Sequence, residues 1–248
     1  MKLPILPLSL ALVFVCLIST EAQKRKPTNS KKTEIGNVAV VIDERLSVLR
    51  IKPSLFADPV QRMRRGRRVQ ILGSTDADGV KFYKVAAPPS KLGWLQSDAV
   101  FGRFRASDEE RLARLVQAAD GFEQIELAST FLGMYPASQF RPAILLLYGD
   151  LLEDAAAKLS RDATSRLSRR EMAASGAPLH SYYLNFNMLD RYRKIGVTFL
   201  LNPSTRAFHY NGASWREIIR KYSASTESPE AQKRLDSLKS KLERRVAS

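Results

Sequence analysis

Cysteine and histidine are nearly missing from this chain of 248 residues, which holds one Cys and two His. A disulfide framework and a Cys/His zinc cage are therefore excluded. The lone Cys16 lies in an apolar N-terminal run, so a Cys-His nucleophile is missing as well. A zinc amidase needs two or three histidines with a carboxylate, but His180 and His209 stand far apart and no His-Glu-x-x-His spacing occurs. There is also no Gly-x-Ser-x-Gly elbow and no glycine loop for phosphate. Acids are the other shortage: 25 Asp and Glu face 40 Lys and Arg, a net charge of +15. Paired acids carry no signature spacing, so a carboxylate-pair glycosidase stays open. Glu123, Glu126, Asp150, Glu153 and Asp154 nevertheless read as ordinary helix faces. No catalytic residue, metal ligand or cofactor is assigned. With 44% hydrophobic and 26% charged residues, the chain is expected to fold, and its length suits one large domain or two ordinary ones.

The longest apolar run is N-terminal. Met1-Lys2 precedes Leu3 to Ile18, and Thr20-Glu21-Ala22 puts small residues at the positions a signal peptidase reads. Pro4, Pro7 and the shortness of the run oppose a spanning helix of roughly 20 residues. Residues 1–22 are expected to be a signal peptide, so that the mature chain is periplasmic or secreted, has no membrane span and contains no Cys. The alternative is an anchor left uncleaved, because Lys24, Arg25, Lys26, Lys31 and Lys32 follow the run. Residues 23–37 form a basic linker, read as a solvated spacer or as a contact with an anionic surface.

Residues 38–102 carry short β-rich runs separated by turn signals, the pattern of a small all-β barrel. The runs are Val38–Ile42, Leu46–Ile51, Val69–Leu72, Lys81–Val85, Gly93–Leu95 and Ala99–Phe101, with a tight turn at Asp78-Gly79. The order Leu49-Arg50-Ile51-Lys52-Pro53, Gly66-Arg67-Arg68-Val69-Gln70-Ile71, Phe82-Tyr83-Lys84-Val85 and Gly93-Trp94-Leu95 resembles the bacterial SH3-like domains of envelope proteins. The sequence departs from them at Lys52, where Gly is usual, and at Phe82, where Trp is usual. The resemblance implies a binding module for wall peptides or a partner domain. Trp94 and Tyr83 are its candidate exposed aromatics and Arg50 the charge beside them. The opposing reading, that Trp94 is the core tryptophan, is favoured.

Arg62, Arg64, Arg65, Arg67 and Arg68 surround Gly66. Five guanidinium groups this close are expected to form an exposed basic knob, serving either as an anion site or as a solvated turn. Nucleic acid ranks last, since no helix-turn-helix, zinc-finger or RNA-binding pattern accompanies the arginines.

Residues 107–248 change to helical period. Ser107-Asp108-Glu109-Glu110 reads as a capping box, then Gly121 interrupts and a second helix ends at Tyr135-Pro136. A third helix, apolar nearly all round and therefore central, runs from Pro142 to at least Leu159. Tyr182 to Ile195 is aromatic and helical, Val197–Leu201 and Arg206–Tyr210 form a hairpin, and Ser214 caps a helix holding Trp215. Tyr182, Tyr183, Phe186, Tyr192, Phe199, Phe208, Tyr210 and Trp215 read as core in preference to a ligand surface. A last helix opens at Ser228-Pro229 and packs Ala231, Leu235, Leu238, Leu242 and Val246 on its own domain. Phe131 to Ser138 is echoed by Ile218 to Ser225, with Tyr135 and Tyr222 in register at 222 − 135 = 87 residues. Helix, Tyr-Pro-x-Ser turn, then Ala143 or Ala231 on the next helix resembles the half-repeats of tetratricopeptide-like envelope proteins, which implies stacked helix pairs that bind polypeptides.

The expectation is thus an SH3-like β-barrel over 38–102 and an α-helical, tetratricopeptide-like domain with a short hairpin over 107–248. Together they read as an exported, non-enzymatic envelope protein whose partner is a cell-wall polymer or another envelope protein. A cryptic wall hydrolase and anion or nucleic-acid binding through the arginines are the alternatives.

Overall fold

The computed structural model describes residues 34–167 and 189–243. The leader, Cys16, residues 23–33, His180, Tyr182, Tyr183, Phe186 and Val246 lie outside the described residues. The chain is mixed α and β, with a curled antiparallel sheet of seven strands followed by six helices and a hairpin among the described residues.

The strands are β1 (Val38–Val41), β2 (Val48–Arg50), β3 (Pro59–Arg62), β4 (Arg68–Ala77), β5 (Val80–Ala87), β6 (Lys91–Gln96) and β7 (Val100–Phe101), in the order β3-β2-β6-β5-β4-β1-β7. Asp78 and Gly79 both take positive φ, 52° and 73°, which a two-residue hairpin turn needs to match strand twist. Period two then sorts the faces. Leu49, Met63, Val69, Ile71, Tyr83, Val85 and Leu95 fill the inside of the curl, together with Ala39 and Val41. Strand β3 has no signal in the sequence pattern, because it opens with Pro59 and carries a single aliphatic residue. Its place at the sheet edge is where such a strand is tolerated.

The helices are α1 (Ser107–Ala118), α2 (Gly121–Met134), α3 (Arg141–Leu167), α4 (Asp190–Lys194), α5 (Ala213–Lys221) and α6 (Ser228–Glu243), and β8 (Phe199–Asn202) pairs with β9 (Ala207–Tyr210). Helix α3 is central: Leu145, Leu152, Ala156, Leu159 and Ala163 share one core with Tyr192, Phe208, Tyr210, Trp215, Ile218, Ala231 and Leu238. The hairpin lies on it, with the Phe208 N–H donating to Ser160 Oγ at 2.7 Å. The described aromatics of 192–215 are therefore core. Gly149 of α3 allows α5 this close, since a Cβ there would collide with Ser214 Oγ and the Trp215 indole. Ser214 is not the cap of α5. Gly212, at φ 75°, holds that position, and Asn211 Oδ1 accepts the Ala213 N–H at 3.0 Å.

The echo of 87 residues is written in the backbone. Tyr135 N–H donates to Phe131 O and Tyr222 N–H to Ile218 O, while Ser138 bonds Tyr135 O as Ser225 bonds Tyr222 O. Arg141 bonds Ser138 O as Ser228 bonds Ser225 O, and these two residues open α3 and α6. Helix pairs α2–α3 and α5–α6 thus share one turn. In this register Ala231 corresponds to Ile144, not Ala143.

Sheet and helices meet in a core of their own, where Val40, Ile42 and Phe101 pack on Leu112, Val116, Leu127, Ala128 and Phe131. The expected capping box is absent: the residue before α1 is Ala106, with no side-chain cap. Asp108 turns inward instead. Fully buried, it accepts from the Gly102 N–H at 2.8 Å, Arg105 Nε at 2.8 Å and an Arg111 guanidinium nitrogen at 3.3 Å. Asp108→Ala is expected to cost about 3 kcal/mol or more in urea denaturation, since two cations lose a buried partner. Ser107→Ala should stay within about 0.5 kcal/mol; a larger loss at Ser107 than at Asp108 would restore the capping box.

Candidate functional site

The arginines around Gly66 divide. Arg65 is largely buried, its side chain 13% exposed, and pairs with Glu123 and, at 3.2 Å, with Glu126 of α2 while also donating to Ile42 O at 3.0 Å. It departs from the exposed knob expected of it, because the turn faces α2 and burial holds a guanidinium only among acceptors. Arg62 donates to Glu44 O and Arg45 O, and Arg67 to Pro88 O. The Arg64 and Arg68 side chains are exposed and without a partner among the described residues. A cleft of about 430 Å³ in front of Arg65 is rimmed by Asp43, Glu44 and Glu123 against Arg45 and Arg65. Carboxylates outnumber cations there, so it is no anion pocket. Burial pushes the Glu126 carboxyl up, against the pull of Arg65.

The aromatic candidates exchange places. Tyr83 is fully buried in the sheet core, and burial raises its phenol well above the usual range. Trp94, favoured for the core, lies on the outside and is partly exposed. Period two settles this: Gly93 and Leu95 face inward, where a Cβ on Gly93 would stand 2.7 Å from Leu49 Cγ. Trp94 must face out. It pairs across the ladder with Arg50 on one side and Lys84 on the other. Directly opposed residues share a face, so Arg50, Trp94 and Lys84 form one row across three strands. Arg50 also donates to Ala57 O at 2.6 Å, fixing the loop between β2 and β3. That loop is pinned further by Asp78, which accepts from Ser54 Oγ and the Leu55 N–H, and it displays Phe56 at 89% exposure.

Lys84, Leu92 and Phe56 escape the sequence reading. Lys84 lies inside a matched motif as its one polar position, a signal that it faces water; nothing local marks Phe56. Along the outward positions of β2 to β6 stand Val48, Arg50, Pro59, Arg62, Arg68, Gln70, Gly73, Thr75, Phe82, Lys84, Ala86, Leu92, Trp94 and Gln96, with no carboxylate among them.

Two further polar groups lie in the helices. A cleft of about 230 Å³ between α2, α3 and α5 is lined by Ser129, Tyr148, Asn211 and Ser214 and by the Arg141–Glu217 pair at 2.9 Å. Burial pushes Tyr148 up to about 12, out of reach as a base at neutral pH. Glu153 of α3 meets His209 Nδ1 at 3.0 Å, Lys241 Nζ at 2.7 Å and the Tyr210 N–H at 2.9 Å. Burial alone would raise its carboxyl, but bonds from His209, Lys241 and Tyr210 outweigh it and hold it at about 2. An acid held that low donates no proton at neutral pH; it ties α3, β9 and α6 together. Among the described residues no His, Cys, Asp and Glu group could hold a metal ion, and no helix is long and apolar enough to cross a membrane. Comparison with protein families, curated proteins and solved structures gives no match.

Two stability measurements check this division. Arg65→Ala should lower urea stability by about 2 kcal/mol, because Glu126 and Ile42 O lose their partner, whereas Arg64→Ser and Arg68→Ser stay within about 0.5 kcal/mol each. Equal effects at all three would make Arg65 a surface charge. Glu153, held below its ordinary 4.5, contributes stability that is present above that pH and lost as pH falls toward 2. Glu153→Gln should therefore cost on the order of 2–3 kcal/mol at neutral pH and nothing near pH 2. A gap between the two proteins that does not close in acid would contradict the network.

Proposed function

We propose that the chain is an exported, non-enzymatic cell-envelope protein that works by binding a wall polymer or another envelope protein. In this reading the curled sheet acts as an SH3-like binding module and the paired helices as a tetratricopeptide-like scaffold. The observation that carries it is the outward sheet face, cationic and free of carboxylates, on a chain with a net charge of +15. A field of one sign concentrates and retains anionic partners. The order of motifs across 49–95 supports the module, the shared turns at Tyr135 and Tyr222 support the scaffold, and the leader over 1–22 supports export. Four of the five carboxylates weighed for a hydrolytic role are engaged, Glu123 and Glu126 by Arg65, Asp150 by Arg234 and Glu153 by His209 and Lys241, while Asp154 is exposed and has no partner among the described residues.

Incubation with purified peptidoglycan tests the reading. The chain should sediment with the wall without releasing soluble fragments, and sedimentation should weaken as salt rises. Release of muropeptides that stops on changing one acidic residue would make it an enzyme. Failure to sediment, with capture of a defined envelope protein instead, would leave the scaffold half of the reading alone.

A further inference from the structure

We propose that the row Arg50–Trp94–Lys84 is the polymer site and that its ligand is an anionic polysaccharide, one sugar ring lying on the indole while the flanking cations take its carboxylates or phosphates. This rests on the binding reading above and names its ligand.

The row is built for contact. Neighbouring strands lie about 4.8 Å apart, so the three side chains span roughly 10 Å on one face. Trp94 is partly exposed, its indole N–H bonds nothing and its ring meets no other aromatic among the described residues. Arg50 is held in place by Ala57 O through Nη1, and with its Nε buried the terminal nitrogens are the donors left for a ligand. Lys84 is exposed and unpaired among the described residues. Arg62 and Arg68 continue the charge toward β3 and β4 on the same face, so a chain of repeated anions finds a cation along its path. No carboxylate opposes it there.

The same surface disfavours other polyanions. A peptide added as a strand needs a sheet edge with free N–H and C=O groups. Here one edge strand opens with Pro59 and the other is two residues long. Single-stranded nucleic acid is held by aromatics on which successive bases stack. Among the outward strand positions named above, Trp94 is the one aromatic with exposure, because Phe82 is fully buried, and Phe56 stands off the strands on the loop between β2 and β3. One ring platform with cations on both sides suits a polymer in which saccharide rings and negative charges alternate.

The test uses the full chain and four probes: polygalacturonate, neutral dextran, polyglutamate and oligo(dT). Polygalacturonate should bind in a salt-sensitive way, dextran not measurably, and polyglutamate and oligo(dT) at least about tenfold more weakly. Trp94→Ala should weaken polygalacturonate binding about tenfold, the loss expected on truncating an aromatic anchor. Lys84→Glu, which reverses an exposed charge without touching the core, should do the same and guards against misfolding of the first variant. Equal binding of polyglutamate, tighter binding of oligo(dT), or two folded variants that bind like the wild type would each overturn the site. If those variants still sediment with peptidoglycan, the binding reading survives without this site; if the wild type binds neither material, both fall.

Discussion

The arrangement of sheet and helices depends on one buried carboxylate. Asp108 has no exposure to water, and a charge in that position persists only if it is paired. Arg105 supplies the pairing and does more. It reaches Ser97 O and Val100 O at the end of the sheet, and its guanidinium lies over the Phe101 and Phe104 rings at 6.0 and 5.7 Å. Arg111 comes from the next turn of α1 and covers Phe101 at 4.8 Å. One acid therefore fixes the path from β7 into α1. Arg65, joined to Glu123 and Glu126, makes a second tie to α2. Between these ties lies the shared core of Val40, Ile42 and Phe101.

What this docking covers decides what stays open. The helices take the β1 and β7 side of the sheet, where Val40 would otherwise face water. The row from β2 through β6 to β5 lies away from them. The cations divide by what they meet: Arg65, Arg105 and Arg111 meet acids at the joint, and Arg50, Arg62 and Arg67 meet backbone carbonyls on the sheet. Arg68 and Lys84 meet neither and keep their charge for solvent or ligand. Acids are scarce in the chain, so cations outnumber the carboxylates that could pair with them.

The sequence made legible whatever depends on local pattern. The change of period near 107, the Asp78-Gly79 turn, the hairpin over 199–210 and the Tyr-x-Ala-Ser echo are all set by neighbouring residues. What it hid depends on partners distant in the chain. Asp108 reads as a member of a capping box because Gly102 and Arg105 cannot be seen to fold back on it. Arg65 reads like its neighbours, since Glu123 and Glu126 are 58 and 61 residues away. Residue type alone points Trp94 inward and Tyr83 outward, the reverse of where they lie. Their strands' own alternation, with Gly93 and Leu95 inside, contained the correction.

The two helix pairs that share this turn pack on each other through unequal contacts. They differ where they touch: Arg141 opens the first α3 turn and reaches Glu217 of the second copy, while Ser228 at the equivalent place reaches nothing comparable. Tyr222 Oη, in the second turn, donates to Pro136 O in the first. Each pair thus donates to the other. The outer side of α6 carries no apolar stripe among the described residues. Instead Ala231 and Leu238 are spent inward, Arg234 is tied to Asp150 at 3.2 Å, and Gln232, Lys233, Asp236, Ser237, Lys239 and Ser240 meet water. A helix laid on that side would strip these polar groups of hydration with no partners waiting for them.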